Sequence, residues 1–222
     1  NPETLHAYEF GVKSVLFDRR LRANFAAFYY DYSGVQLTRV VTGGSQIILN
    51  AAKAEIYGVD FDFEAAVSER FTLQGGMEWL HHRYKSFPGA PFTPPNPQSP
   101  YGNITVEGSA AGNRMIRTPD FQASISANYT IPIGSNEITA NISYSYNDGF
   151  YWEPDNRIRQ PSYHLVNTQL SWVSSEESYS VKLWTRNLLN EKYLYQVFEQ
   201  GPGDFALPAP GRTYGVTLGA KF

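Results

Sequence analysis

Not one of the 222 residues is a cysteine. That excludes a disulfide framework, a thiolate metal site and a thiol nucleophile. Charge is scarce as well, at 18% of residues, where soluble domains usually carry about 25%. The net charge is only −3, which argues against a polyanion, and nucleic acid in particular, as partner. No stretch approaches the roughly 18 to 20 apolar residues that a membrane helix needs; the richest short run is Phe25-Ala26-Ala27-Phe28-Tyr29-Tyr30. The first residue is Asn1 and no apolar targeting segment follows it, which reads as a fragment or a processed product. There is no Gly-rich phosphate loop in a strand–helix setting and no nucleophile–base–orienter set. Ser162 and His164 share a strand face but lack a third member. Neither a cofactor nor enzymatic activity is expected.

What the chain does have is aromatic and small polar residues: 16 Tyr, 14 Phe and 4 Trp, with much Asn, Ser, Thr and Gly. Such side chains suit a pleated strand better than a helix. They are arranged with a period of two. Tyr214, Val216, Leu218, Ala220 and Phe222 alternate with Thr213, Gly215, Thr217, Gly219 and Lys221. The same pattern runs through Ile138 to Tyr146, Phe121 to Tyr129, Tyr57 to Ala65 and Tyr8 to Val12, and more weakly through Ala23 to Tyr29, Phe71 to Trp79, Val166 to Trp172 and Tyr179 to Leu183. These segments predict nine strands.

Alternation is shared by soluble sandwiches and membrane barrels, so the connections decide. Short links at Phe17–Arg20, Val67–Arg70, Pro132–Asn136 and Ser174–Glu177 alternate with longer ones at Thr42–Ser45, Phe87–Asn113, Asp148–Pro161 and Phe198–Pro210. Tight turns at one end and long loops at the other are the pattern of a transmembrane barrel. A hydropathy average below zero does not oppose this, because every second residue faces a polar lumen. Strands next to the longer links are expected to reach about 15 to 20 residues, where soluble strands average about 5 or 6. Trp79, Tyr129, Tyr144, Tyr146, Trp172 and Tyr179 sit near strand ends, as an interfacial aromatic girdle requires.

Four runs, in order, resemble TonB-dependent outer-membrane receptors. Arg186-Asn187-Leu188-Leu189-Asn190-Glu191-Lys192-Tyr193 resembles their "N-L-x-N-x-x-Y" run, and Pro210 to Phe222 resembles their last strand with its terminal aromatic. Asn50 to Asp60 is similar to their "N…A…G-V-E" strand, and Gly112-Asn113-Arg114 leading to Pro119 and Tyr129 to their "G…P…Y" strand start. The resemblance implies an all-β, up-and-down antiparallel transmembrane β-barrel in the bacterial outer membrane. Residues 1–222 would be the C-terminal part of a barrel of about 22 strands whose lumen holds a plug domain. It also implies uptake of a scarce ligand, a ferric siderophore first, driven by the TonB complex. The plug, the TonB box and the preceding strands are not in these residues. Partners would then be outer-membrane lipid, the remaining strands and plug, the TonB complex, the ligand, and the barrel-assembly machinery, which would read Tyr214 and Phe222 on the last strand. A passive porin-type channel is the alternative.

Candidate ligand residues lie in the long links. The Pro-rich link from Phe87 to Asn113 offers Phe92 and Tyr101, and the next long link offers Tyr151, Trp152, Arg157 and Arg159 for an anionic ligand. His81 and His82 are adjacent, so on a strand they point to opposite faces and do not chelate one metal; a solvated loop edge is expected for them. Asp60, Asp62 and Glu64 share the luminal face and need basic or polar partners.

Overall fold

The computed structural model describes residues 2–40, 46–98, 100–176 and 178–221, leaving aside the side chains of 37–40 and 46–51. Among the described residues there is no helix. Nine strands form one antiparallel sheet: β1 (Thr4–Leu16), β2 (Leu21–Val40), β3 (Gln46–Ala66), β4 (Phe71–Ser86), β7 (Phe121–Ile133), β8 (Asn136–Asn147), β11 (Tyr163–Val173), β12 (Tyr179–Arg186) and β15 (Thr213–Ala220). Each pairs with its sequence neighbour in that order, which is an up-and-down meander. All nine period-two segments are these strands. The other six strands, β5 (Pro88–Phe92), β6 (Val106–Ser109), β9 (Phe150–Tyr151), β10 (Arg159–Gln160), β13 (Leu194–Gln200) and β14 (Gly203–Pro208), form three small hairpins, one within each of three long loops.

Strand lengths differ from one side of the sheet to the other. β2, β3 and β4 run for 20, 21 and 16 residues, as expected beside long links, whereas β12 and β15 have 8 each. The short turns gather at one end. Phe17, Asp18 and Arg19 all take positive φ in the β1–β2 turn, whose Arg20 donates to the Ala66 and Val67 carbonyls of the next turn. Ser68 Oγ accepts from the amides of Arg70 and Phe71, and Ser174 Oγ from that of Tyr179. The Thr42–Ser45 link and Phe222 lie outside the described residues.

Cross-strand register divides the sheet into two faces. One carries Val12, Phe25, Phe61 and Met77 in a row, and farther along Ile125, Tyr144, Leu170, Leu183 and Val216. These apolar side chains are open to the surroundings even in the middle of the sheet: Ile142 is 50% and Leu170 44% exposed, and Tyr214 reaches 81%. A soluble sandwich would bury this face against a second sheet. No second sheet of that size exists among the described residues. The opposite face carries Arg22, Asn24, Asp60, Asp62, Glu64, Gln74, Glu78, Gln122, Ser124, Ser143 and Asn141. Polar groups there pair along the wall: Asn24 donates to Asp62 at 2.8 Å, Arg22 lies 3.5 Å from Glu64, and Asn141 donates to Ser126 and Asn128. Aromatics bound the apolar band at both ends. Tyr8, Tyr29, Tyr57 and His81 are register partners toward the long loops, and Phe71 lies against Tyr129 near the short turns. Phe71 to Trp79 is nine residues of β4, the span that crosses a hydrocarbon core.

Two signature segments have local physical reasons. Asn187, at φ 51°, is 5% exposed; its side chain accepts from the Glu191 amide and donates to the carbonyls of Glu191 and Pro210. Asn190, at φ 56°, accepts from the Arg212 amide, and Tyr193 stacks on Tyr163 with ring centroids 4.6 Å apart. Asparagine tolerates this left-handed backbone and can also bond its neighbours. At Gly215 the Trp184 ring lies so close that a Cβ would sit 2.4 Å from it, while Trp184 Nε1 donates to Thr217.

Candidate functional site: the assembly of long loops

The buried apolar core of the chain lies toward the long-loop end. Val35, Ala52, Ala54 and Tyr84 on β2–β4 are covered by Phe87, Ala90 and Ala110, with Phe92 and Met115 packed alongside. Ala54 and Tyr84 are register partners on the polar-wall face, so the loop from Phe87 to Asp120 folds over the inner side of this wall. Backbone bonds from Tyr84 to Asn113, Gly112 to Tyr84 and Leu80 to Asp120 carry the loop back along the edge of β4. His82 is buried in the same wall, accepting at Nδ1 from the Met115 amide, with Nε2 3.0 Å from Asp120. Arg114 pairs with the same carboxylate. The pair therefore splits as alternation requires, with His81 outward against Tyr57 and His82 inward. The expected solvated edge is wrong for His82, because the far end of the loop that follows β4 folds back over it, 33 residues along the chain.

The three long loops bond to one another. Thr93 donates to Asp155, Asn113 to the Pro154 carbonyl, and Arg114 and Asn156 exchange two bonds, which joins the first loop to the second. Asn103 donates to the Gln200 carbonyl and to Asp204, which joins the first to the third. Leu194 donates to Gln160, which joins the third to the second. Arg157 stands where they meet. Its guanidinium reaches Glu199 at 2.7 Å and Asp204 at 2.6 Å, with Asp155 at 4.0 Å.

Charge in this junction is unbalanced, with three carboxylates around one guanidinium. The Glu199 side chain is fully buried and one of its oxygens, Oε1, has no partner. Burial, reinforced by Asp155, pushes its carboxyl up to about 7 despite Arg157. Asp204 goes the other way, held below the usual carboxylate range by its hydrogen bond from Arg157. Glu153 is raised by burial, against the pull of Arg117.

The six residues singled out from the sequence all fall in this assembly, but in different settings. Tyr101 is 82% exposed, and Arg159 is exposed with its guanidinium on the Asp148 carbonyl. Tyr151 is half-buried and bridges to Ile116. Phe92 is half-buried against the core, Trp152 is 2% exposed beside Phe150 and under Arg117, and Arg157 is the junction cation. Glu199, Asp204, Asn103 and Asn156, which complete the junction, carry no signal in sequence; their partners across the loops lie 42 to 101 residues away.

A one-sheet wall with an apolar outside, a polar inside and interlocked loops at one end is the fold of known receptors. A family model, the β-barrel of TonB dependent receptor-like proteins, matches residues 1–188. The chain belongs to this family. Among curated relatives, the pesticin receptor of Yersinia enterocolitica serotype O:8 / biotype 1B is 24% identical over 215 residues, 97% of this chain. The ferric yersiniabactin uptake receptor FyuA from Yersinia pestis superposes with a TM-score of 0.78 at 19% identity over 97% of this chain. The ferric citrate transporter FecA superposes with 0.73 at 12% identity over 100%. This chain spans 28% of the pesticin receptor, 29% of FyuA and 32% of FecA. TonB-dependent receptor barrels are outer-membrane proteins, and these relatives are receptors and transporters, not enzymes.

Proposed function

We propose that residues 1–222 form the C-terminal part of the barrel of an outer-membrane receptor that takes up a ferric siderophore with energy from the TonB complex. The observation that carries this reading is the locking of three long loops into one body over the inner wall. A passive channel gains nothing from such a roof, whereas a receptor needs a shaped mouth that holds a scarce ligand. Several solved relatives are named for ferric yersiniabactin, ferric citrate or ferric preacinetobactin, which supports an iron chelate as the ligand class. Within the mouth we assign ligand contact to Tyr101, Tyr151 and Arg159, and the holding of the loops to Phe92, Trp152 and Arg157. The barrel-assembly machinery would read the last strand through Tyr214 and Phe222.

The test is growth of a strain lacking the parent gene on single iron sources, with and without TonB. Loss of growth on one ferric siderophore, reproduced by deleting TonB, is the expected result. Uptake that continues without TonB would favour the passive channel instead.

A further inference from the structure

The outer face of the sheet carries a second organised surface, above the aromatic row on the long-loop side. One step beyond Tyr8, Tyr29, Tyr57 and His81, the register places His6, Asp31, Glu55 and Arg83 side by side. The next row includes Lys53 on β3, and a register shift there leaves Lys85 as an extra residue of β4. Lys85 is already satisfied: its ammonium lies 2.9 Å from Glu55, 3.8 Å from Asp31 and 3.3 Å from the Tyr29 hydroxyl. Tyr29 also donates to the same Glu55 oxygen at 2.9 Å. Arg83 is the register partner of Glu55 but finds its carboxylate occupied, and no described acidic group lies in ion-pair range of Arg83 or of Lys53.

Two cations without counter-charges among the described residues thus sit on the membrane-facing side, just above the aromatic row. Aromatic rings of this kind mark headgroup depth, and basic side chains at that depth meet headgroup anions. We propose that Lys53 and Arg83 bind the phosphate groups of lipid headgroups in the leaflet next to the long loops. Arg83 supplies the planar fork that matches a phosphate, and Lys53 a point charge beside it. Glu55, held by Lys85 and Tyr29, lies beside Arg83 in register and two residues from Lys53 on the same strand. This inference rests on the outer-membrane reading and not on which ligand is imported.

The test uses the full-length receptor in detergent, titrated with a phosphorylated lipid A-type glycolipid and with its dephosphorylated form, and followed by native mass spectrometry. Wild type should retain the phosphorylated lipid preferentially. Lys53→Gln with Arg83→Gln should weaken that retention tenfold or more and abolish the preference, while Lys85→Gln, whose charge is spent within the protein, should leave it within about twofold. Millimolar inorganic phosphate should not compete, because the belt below supplies the lipid-specific contacts. Equal retention by the double variant, with the variant still running as a folded barrel, would overturn the proposal, as would equal binding of the two lipids by wild type. A receptor that needs no detergent at all would instead refute the membrane reading beneath it.

Discussion

Asn187 holds a left-handed turn and three hydrogen bonds with one short side chain. Replacing it by alanine strains the backbone and leaves the Glu191 amide and two carbonyls without partners in a buried setting. At roughly 1 kcal/mol per lost bond, Asn187→Ala should cost about 2–4 kcal/mol, read as a lower temperature at which the full-length receptor loses its compact form in gel electrophoresis. Gly215→Val acts by another route. Its side chain would occupy the place of the Trp184 ring, which must then swing into the lumen and release Thr217. Heat stability should fall by a similar amount, and Gly215→Val combined with Trp184→Ala should recover part of it, since the small residue makes room. Both residues lie in the segments that resemble the receptor family. The letters alone were enough to suggest kinship, but the reason for each appears only when the chain folds back on itself.

Among the elements, the spanning strands and the loop hairpins differ in how openly the sequence declares them. The nine strands announce themselves because lipid on one side and a wet lumen on the other impose strict alternation over at least eight residues. The β5–β6, β9–β10 and β13–β14 hairpins have no such constraint. β5 reads Pro-Gly-Ala-Pro-Phe and β9 is only Phe150–Tyr151, and contacts with other loops hold both in place. The setting of Arg157 is hidden for the same reason: nothing near it in the chain shows that it pairs with Glu199 and Asp204. The junction carries its own prediction. Glu199 has a folded-state carboxyl near 7, above its ordinary value of 4.5. The interlocked loops therefore bind a proton that the separated loops release, and stability falls as pH rises from about 4.5 through 7. The change should be on the order of 2 kcal/mol. Limited trypsin digestion of the full receptor should cut these loops faster at pH 8 than at pH 5.5, after correction for the protease's own pH profile. Glu199→Gln should flatten that difference, and Arg157→Ala should speed cutting at both pH values.

At the scale of the whole molecule, the sheet ends in two open edges, β1 on one side and β15 on the other. Both strands start at the long-loop end and finish at the short-turn end, because an odd count of nine antiparallel strands returns the same direction. Closing β15 onto β1 would force a parallel pair into an otherwise antiparallel sheet, and two copies inserted the same way up face the same conflict. Left open in hydrocarbon, each unpaired amide or carbonyl costs several kcal/mol, and β1 alone has 13 residues. Antiparallel closure thus requires an odd number of further strands, consistent with a chain that spans only 28–32% of its relatives. Residues 1–222 expressed alone with an export signal should not yield a heat-modifiable, monodisperse species in detergent. Supplying the remaining strands of the full receptor as a separate chain should restore one. If residues 1–222 alone gave a stable monomer, with the edge amides of β1 and β15 protected from hydrogen exchange, the wall would be closing by itself and the larger barrel would be unnecessary.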